Sequence, residues 1–224
     1  TGFPVSDLNH DRRVNLNDFA VMANNWPSSN LMPLVFWTDF ENGDLTGWQA
    51  TDPDAWQIED GHYGRVLALF KQSAYYPPYQ SPHNINLVPA ADVGSFILEL
   101  QMHSTTNYYY GRDLCLIFGY QDPSHFYYAH IADTSDYAHN AIHIVNGAPR
   151  TSIVDTRNDG NSWEGGWHNV KLVRDVDKGT IEVYFDNMAE PVMTATDSTF
   201  GQGKVGIGSF DDTGQFDNIR LWGQ

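Results

Sequence analysis

Residues 7–18 read DLNHDRRVNLND. Oxygen-bearing side chains fall at loop positions 1, 3, 5, 9 and 12: Asp7, Asn9, Asp11, Asn15 and Asp18. Arg13, at position 7, would offer its backbone carbonyl, and Val14 at position 8 is apolar. This spacing wraps a hard, oxygen-seeking cation, and calcium is the expected ion. The plainer alternative is an Asx-rich turn that holds no ion.

A second chemistry comes from strand parity. In 95–103, Phe96, Leu98, Leu100 and Met102 alternate with Ile97, Glu99, Gln101 and His103. The first set should face a core and the second should face away. The same rule turns Leu114, Leu116 and Phe118 inward, leaving Asp113 and Cys115 outward. It leaves Tyr128, His130 and His143 outward, opposite inward Ala129, Ile131, Ile142 and Ile144. Val170 and Leu172 leave Asn169 and Lys171 outside; Ile181, Val183 and Phe185 leave Glu182 and Tyr184. Rings that stack on pyranose faces, beside amides, imidazoles and carboxylates that bond hydroxyls, suit a saccharide surface. The expected glycan set on a concave sheet is therefore Glu99, Gln101, His103, Arg112, Tyr128, His130, His143, Lys171 and Tyr184. Tyr108, Tyr109 and Tyr110 stand at a strand entry. Trp163 and Trp167 flank a glycine-rich turn, with Trp167 expected to cap the core.

Catalysis on that face is the alternative. The paired-carboxylate pattern E-x-D-x-x-E is absent, as are G-x-S-x-G and H-E-x-x-H. Elimination from a uronate needs a base, an acid and a group that neutralises the carboxylate. Gln101-Met-His103 resembles the Gln-x-His element of jelly-roll alginate lyases. That resemblance implies a site built from His103, His130, Tyr128 and Arg150, with Tyr184, Arg112 and Lys171 as other candidates for acid and neutraliser. The tyrosine-rich companion motif of those enzymes is missing. A zinc site would have to combine strands, for example His130 with His143, and is a weaker reading than sugar binding. Cys115 has no assignable base and reads as a small, near-core residue.

These side chains need a scaffold, and the turn spacing supplies it. After Pro27, Ser28, Ser29 and Asn30, short alternating runs separated by Gly, Asp, Asn and Pro recur about every ten residues, the pattern of an all-β sandwich. Candidate strands are 35–40, 55–59, 65–70, 84–88, 95–103, 112–120, 125–132, 139–145, 167–174, 180–186, 191–196, 203–209 and 215–222. The expected organisation is a calcium loop and helix in 1–30 and one β-domain in 31–224. In the helix, Phe19, Met22, Ala23 and Trp26 share one apolar face.

The 7–18 loop resembles the calcium repeat of dockerins, with Arg12 where glycine is usual and one repeat instead of two. The resemblance implies either a calcium-stapled spacer or a helix that docks a cohesin-like partner. Trp37-Thr-Asp-Phe-Glu-Asn-Gly-Asp-Leu-Thr-Gly-Trp48, Trp56-Gln-Ile-Glu-Asp-Gly61, Trp167 to Arg174, Gly179 to Asp186 and Phe216-Asp-Asn-Ile-Arg-Leu-Trp222 resemble the concanavalin A-like lectin/glucanase superfamily, including laminin G-like domains. This implies an antiparallel two-sheet jelly roll. It also implies a calcium shared by the first and last strands, at Asp39, Glu41, Asp44 and Asp217.

The 224 residues carry 12 Lys and Arg against 28 Asp and Glu, a formal charge of −16. A chain this acidic repels phosphate backbones and anionic bilayers. No run of 18 apolar residues exists. The expectation is a secreted or cell-surface bacterial protein that recognises a polysaccharide, with a lyase or another glycan-cleaving enzyme as alternative and a calcium-dependent assembly module as third reading.

Overall fold

The computed structural model describes residues 32–61 and 64–224. Contacts divide the chain into Thr1–Pro33 and Leu34–Gln224. The loop ligands Asp7, Asn9, Asp11, Arg13, Asn15 and Asp18, and the helix expected to dock a partner, lie outside the described residues. No helix among the described residues is long and apolar enough to cross a membrane.

Among the described residues, sixteen strands form two antiparallel sheets. In chain order they are β1 (Leu34–Thr38), β2 (Gln49–Ala50), β3 (Trp56–Asp60), β4 (Arg65–Leu69), β5 (Asn84–Leu87), β6 (Phe96–Ser104), β7 (Asp113–Asp122) and β8 (His125–Ala132). Then follow β9 (Ala141–Asn146), β10 (Thr151–Ser152), β11 (Val154–Arg157), β12 (His168–Asp175), β13 (Thr180–Phe185), β14 (Met193–Thr196), β15 (Lys204–Ser209) and β16 (Gly214–Gly223). The nine-stranded sheet runs β11-β14-β13-β12-β6-β16-β4-β3, with β1 also on β16; the seven-stranded sheet runs β10-β9-β8-β7-β15-β5-β2. A single short 3-10 turn, Pro53–Ala55, breaks the β pattern among the described residues.

The alternation read from sequence decides which side chains meet between the sheets. Phe96, Leu98, Leu100 and Met102 of β6 join Leu114, Leu116 and Phe118 of β7 in one buried cluster with Ala129, Ile131, Val170, Leu172, Ile181 and Val183. Trp163 is in this cluster; Trp167 is only half-buried and lies outside it. Of these two, Trp163 is therefore the core tryptophan, alongside Trp56.

The opposite sides of the strands behave differently in the two sheets. On the nine-stranded sheet the outer side is partly open: Glu99, Gln101, His103 and Lys171 are all half-exposed. On the seven-stranded sheet the outward residues are covered. Ile85, Leu87, Cys115, Ile117, Phe126, Tyr128 and Val145 form a second buried cluster, with Tyr79 packed on it. The segment between β4 and β5 supplies Tyr79 and is tied down: Ser73 N–H donates to Asn84 Oδ1 (2.7 Å), and Gln80 carbonyl accepts from Arg150 N–H (3.1 Å). Tyr128, His130 and His143, expected on a surface, are thus interior residues, and Cys115, read as near-core, is buried with them.

Candidate functional site

The sequence-derived site residues separate into two groups that face away from each other across the sandwich. Glu99, Gln101, His103, Lys171 and Tyr184 belong to the nine-stranded sheet. Arg112, Tyr128, His130, His143 and Arg150 gather at one end of the seven-stranded sheet. The combination of His103 with His130, Tyr128 and Arg150 therefore does not form one site.

On the nine-stranded sheet, pairing sets Lys171 beside Glu99 and Asn169 beside Gln101, while β16 places Arg220 opposite Glu99. Asn218 Nδ2 donates to Gln101 Oε1 (2.9 Å), and Gln101 Nε2 donates weakly to Asn169 Oδ1 (3.4 Å). Lys171 Nζ donates to the Met188 carbonyl (2.9 Å) and lies 3.8 Å from the centre of the Tyr184 ring. Tyr184 in turn donates to Glu182 (2.6 Å). Glu99, Gln101, Asn169, Asn218 and Arg220 line a shallow hollow of about 400 Å3.

A neighbouring hollow of about 430 Å3 brings together Asp39, Glu41 and Asp217, with Gln101, Trp167 and Asn218. Local backbone explains the convergence. β1 ends at Thr38, paired with Ile219, and the β16 ladder with β6 shifts register between Asp217 and Arg220. Such a bulge re-aims side chains. Asn218 (φ 52) and the buried Phe40 (φ 56) adopt left-handed backbone at these two points, an uncommon state for non-glycine residues. Gly64 (φ +146) closes the hollow; a Cβ there would overlap the Glu41 carboxylate. Burial, with Asp39 and Glu41 nearby, pushes the Asp217 carboxyl up to about 6. Asp44 takes no part: it does not line this hollow, and it accepts from Thr46 N–H (2.8 Å).

The other group is more enclosed. Where β7, β8, β9 and β15 end, the loops before β7, after β8 and after β15 surround a cleft of about 230 Å3. Tyr109, Tyr110, His139 and Arg150 stand at its walls with Phe210 and Asp211, and Asp113 and His130 form its floor. Register builds the floor: Cys115 is the direct cross-strand partner of His130, and Asp113 lies two residues before Cys115 on the same side. Asp113 is fully buried and accepts from Phe210 N–H (3.1 Å), Ser209 Oγ (3.3 Å) and Cys115 Sγ (3.6 Å). Burial opposes its ionisation, yet His130 and these donors hold its carboxyl below the usual carboxylate range. Burial and Asp113 together push the Cys115 thiol up. Asp212, which accepts from Asp113 N–H (2.7 Å) and Tyr109 OH (2.9 Å), is pushed to about 6 by burial and by Asp113.

Behind the floor, Ala138 carbonyl faces both His130 Nδ1 (2.7 Å) and His143 Nε2 (3.1 Å). Burial, with His130 and Arg150 close by, lowers His143 to about 3, so its ring is neutral. Tyr128 stacks on His143 with centroids 4.9 Å apart, and its hydroxyl accepts from Arg150 Nη1 (2.9 Å). Neither Tyr128 nor His143 lines the cleft. Arg112, expected at a sugar, is buried and held by Asp133 (2.8 Å) and Glu164 (3.0 Å).

One feature was not read from the sequence. Six rings follow one another across this end of the sheet: Tyr76, His83, Phe210, His130, His139 and Tyr110. Successive centroids lie 6.0, 5.4, 6.0, 5.4 and 5.7 Å apart. The terminal tyrosines are 85% and 60% exposed. The Arg150 guanidinium sits 4.5 Å from the centre of Phe210, in the middle of the row. Five of the six rings come from loops, where periodicity carries no information; the run of three tyrosines before β7 was the available signal.

No family model matches the sequence, and no curated protein matches it. Solved structures do. The carbohydrate-binding module CBM66 from Bacillus subtilis superposes with a TM-score of 0.56 at 16% identity, over 80% of this chain and 97% of that one. The fold is a galectin-like sandwich. A Bacillus subtilis protein described as having a galectin-like fold gives 0.54 at 13% identity, over 87% of this chain and 97% of its own. Domain 4 of AbnA, a GH43 extracellular arabinanase from Geobacillus stearothermophilus solved with arabinotriose, gives 0.53 at 14%, over 87% and 94%. At these identities the likeness is one of architecture, since such folds host unrelated functions.

Proposed function

We propose that the chain binds a polysaccharide along the row of rings on the seven-stranded sheet. The observation that carries this reading is the row itself: exposed tyrosines at both ends, a cleft between them, and hydrogen-bonding groups at the walls. Pyranose rings offer apolar faces to aromatics and hydroxyls to Arg150, Asp211 and Tyr109. The names of the structural neighbours support the same class of ligand: one is a carbohydrate-binding module, another was solved with arabinotriose. Binding fits better than elimination here, because Tyr128 has no access to the cleft and His103 lies on the other sheet. A secreted or cell-surface location is part of this reading.

Calcium belongs to it as well. Asp39, Glu41 and Asp217 present an all-oxygen, carboxylate-rich donor set around one hollow, which suits that ion. It would neutralise like charges held close together and tie β1 to the β16 bulge. The residues 7–18 are proposed as a second calcium loop on their spacing.

A glycan array and pull-down on insoluble polysaccharides test the proposal. Tyr110→Ala and Tyr76→Ala should each weaken binding by about 1 kcal/mol, roughly fivefold. Gln101→Ala, on the opposite sheet, should leave it unchanged. The reverse pattern would move the site to the nine-stranded face, and no binding to any glycan would reject the proposal. For calcium, Asp217→Ala should abolish the part of the melting-temperature rise that depends on the Asp39 hollow.

A further inference from the structure

We infer that Asp113, Cys115 and His130 form a site for a zinc-type transition-metal ion, opening on the cleft. The inference does not depend on glycan binding. Three atoms, one from each side chain, all lie within 4.8 Å of one another. His130 Nε2 is 3.2 Å from Asp113 Oδ1, and Cys115 Sγ is 3.6 Å from the same oxygen. A tetrahedral ion with bonds of about 2.0–2.3 Å sets its ligand atoms about 3.3–3.8 Å apart. Two of the three separations therefore stand near those a tetrahedral ion requires, and the third lies within 4.8 Å.

The histidine supplies the independent observation. His130 Nδ1 lies 2.7 Å from the Ala138 carbonyl, an acceptor, so Nδ1 carries the proton. In the neutral ring Nε2 then has a free lone pair. That nitrogen is buried and lies 3.2 Å from Asp113 Oδ1, with no other partner. A lone pair against a carboxylate is repulsive unless a cation or a proton sits between them. A backbone carbonyl on the far ring nitrogen is the usual outer partner of a metal-bound histidine, fixing the tautomer and the ring's direction.

The donor set decides the kind of ion. One imidazole, one carboxylate and one thiolate favour zinc and its neighbours over calcium or magnesium, which take oxygen. Asp113 and His130 also line the cleft, whereas Cys115 lies behind them. The protein thus gives three ligands from the interior and leaves a fourth position toward the cleft for water or a ligand oxygen. Binding would release the thiol proton to solvent.

The test uses the full chain after chelator treatment, titrated with Co2+ and then Zn2+. One equivalent of cobalt should give tetrahedral visible bands and a near-ultraviolet thiolate-to-cobalt band, both removed by zinc. Cys115→Ala should abolish the thiolate band. His130→Gln should weaken zinc by more than about 100-fold, beyond the 10–100-fold typical of losing an outer partner. Both variants should retain the wild-type near-ultraviolet circular dichroism in chelator. Cys115→Ser serves as a second thiol variant if Cys115→Ala is unstable. Cobalt bound without a thiolate band, or zinc affinity unchanged in both variants, would overturn the proposal and leave a proton between His130 and Asp113. Glycan binding is read separately, so either reading can fail alone.

Discussion

Asp136 shows how one carboxylate can set a ring into a row of rings. It accepts from the N–H groups of Ala138 (2.7 Å) and His139 (2.8 Å) and meets His139 Nδ1 at 2.9 Å. These contacts hold the His139 ring between His130 and Tyr110 in the row. Burial would raise the Asp136 carboxyl, but the His139 ring and the two N–H groups hold it at about 2, against 3.8 for an unperturbed group. A pKa lowered by folding contributes stability that is full above the unfolded value and lost as pH falls through the folded one. Melting temperature measured from pH 5 to pH 2 should therefore fall less steeply in Asp136→Asn than in the wild type. Parallel curves would show that the carboxylate is not the source. Some of this detail was readable from residue order. The Asp-x-x-His spacing can be seen in the chain, but its place in a line of rings depends on loops whose paths no periodicity encodes. The resemblance grouped Asp39, Glu41, Asp44 and Asp217; the structure brings Asp39, Glu41 and Asp217 to one hollow and leaves Asp44 off it, because a resemblance does not encode the path of the turn after Phe40.

At the scale of elements, period-two alternation located the main strands and the inward residues correctly. It missed β2, β10 and β11, which are two to four residues long and have too few positions to show a period. It also failed to say what lies over the other side of a sheet. Leu114-Cys-Leu-Ile-Phe118 and Phe126-Tyr-Tyr-Ala-His-Ile-Ala132 read as nearly continuous apolar runs, the mark of strands buried on both faces. Taking each outward residue as exposed overrode that signal. The cover comes from the irregular segment before β5, so it left no pattern of its own. Close approach within the same sheet gives a sharp prediction. A Cβ at Gly208 of β15 would overlap the Asn84 carbonyl of β5, and one at Gly206 would lie 2.7 Å from the Asn86 carbonyl. Gly208→Ala should cost about 2 kcal/mol or more, because β5 must move away from its ladder partner. Chemical denaturation would measure it, and a loss below about 0.5 kcal/mol would show that the sheet yields freely.

For the whole molecule, a formal charge of −16 shapes which ligands can approach. Ions bound at the Asp39 hollow and at the Asp113 floor would reduce that charge locally, but the remainder still opposes polyanions. At low ionic strength, binding to neutral polysaccharides should exceed binding to sulfated or uronate polymers of similar length, and the gap should narrow as salt is added. Stronger binding to a polyanion at low salt would contradict this. The pairing of β1 with β16 has a mechanical consequence. Leu34 lies opposite Trp222, so the first and last strands of the sandwich start and finish side by side, about 4.8 Å apart. Tension applied through the two ends would pull across this antiparallel pair and not along it. The bonds would then break one after another, like a zipper. Single-molecule pulling from residues 34 and 224 should therefore peel β1 away at a lower force than pulling along β6 and β12. A shared resistance in both directions would mean that the core, and not the edge pair, bears the load.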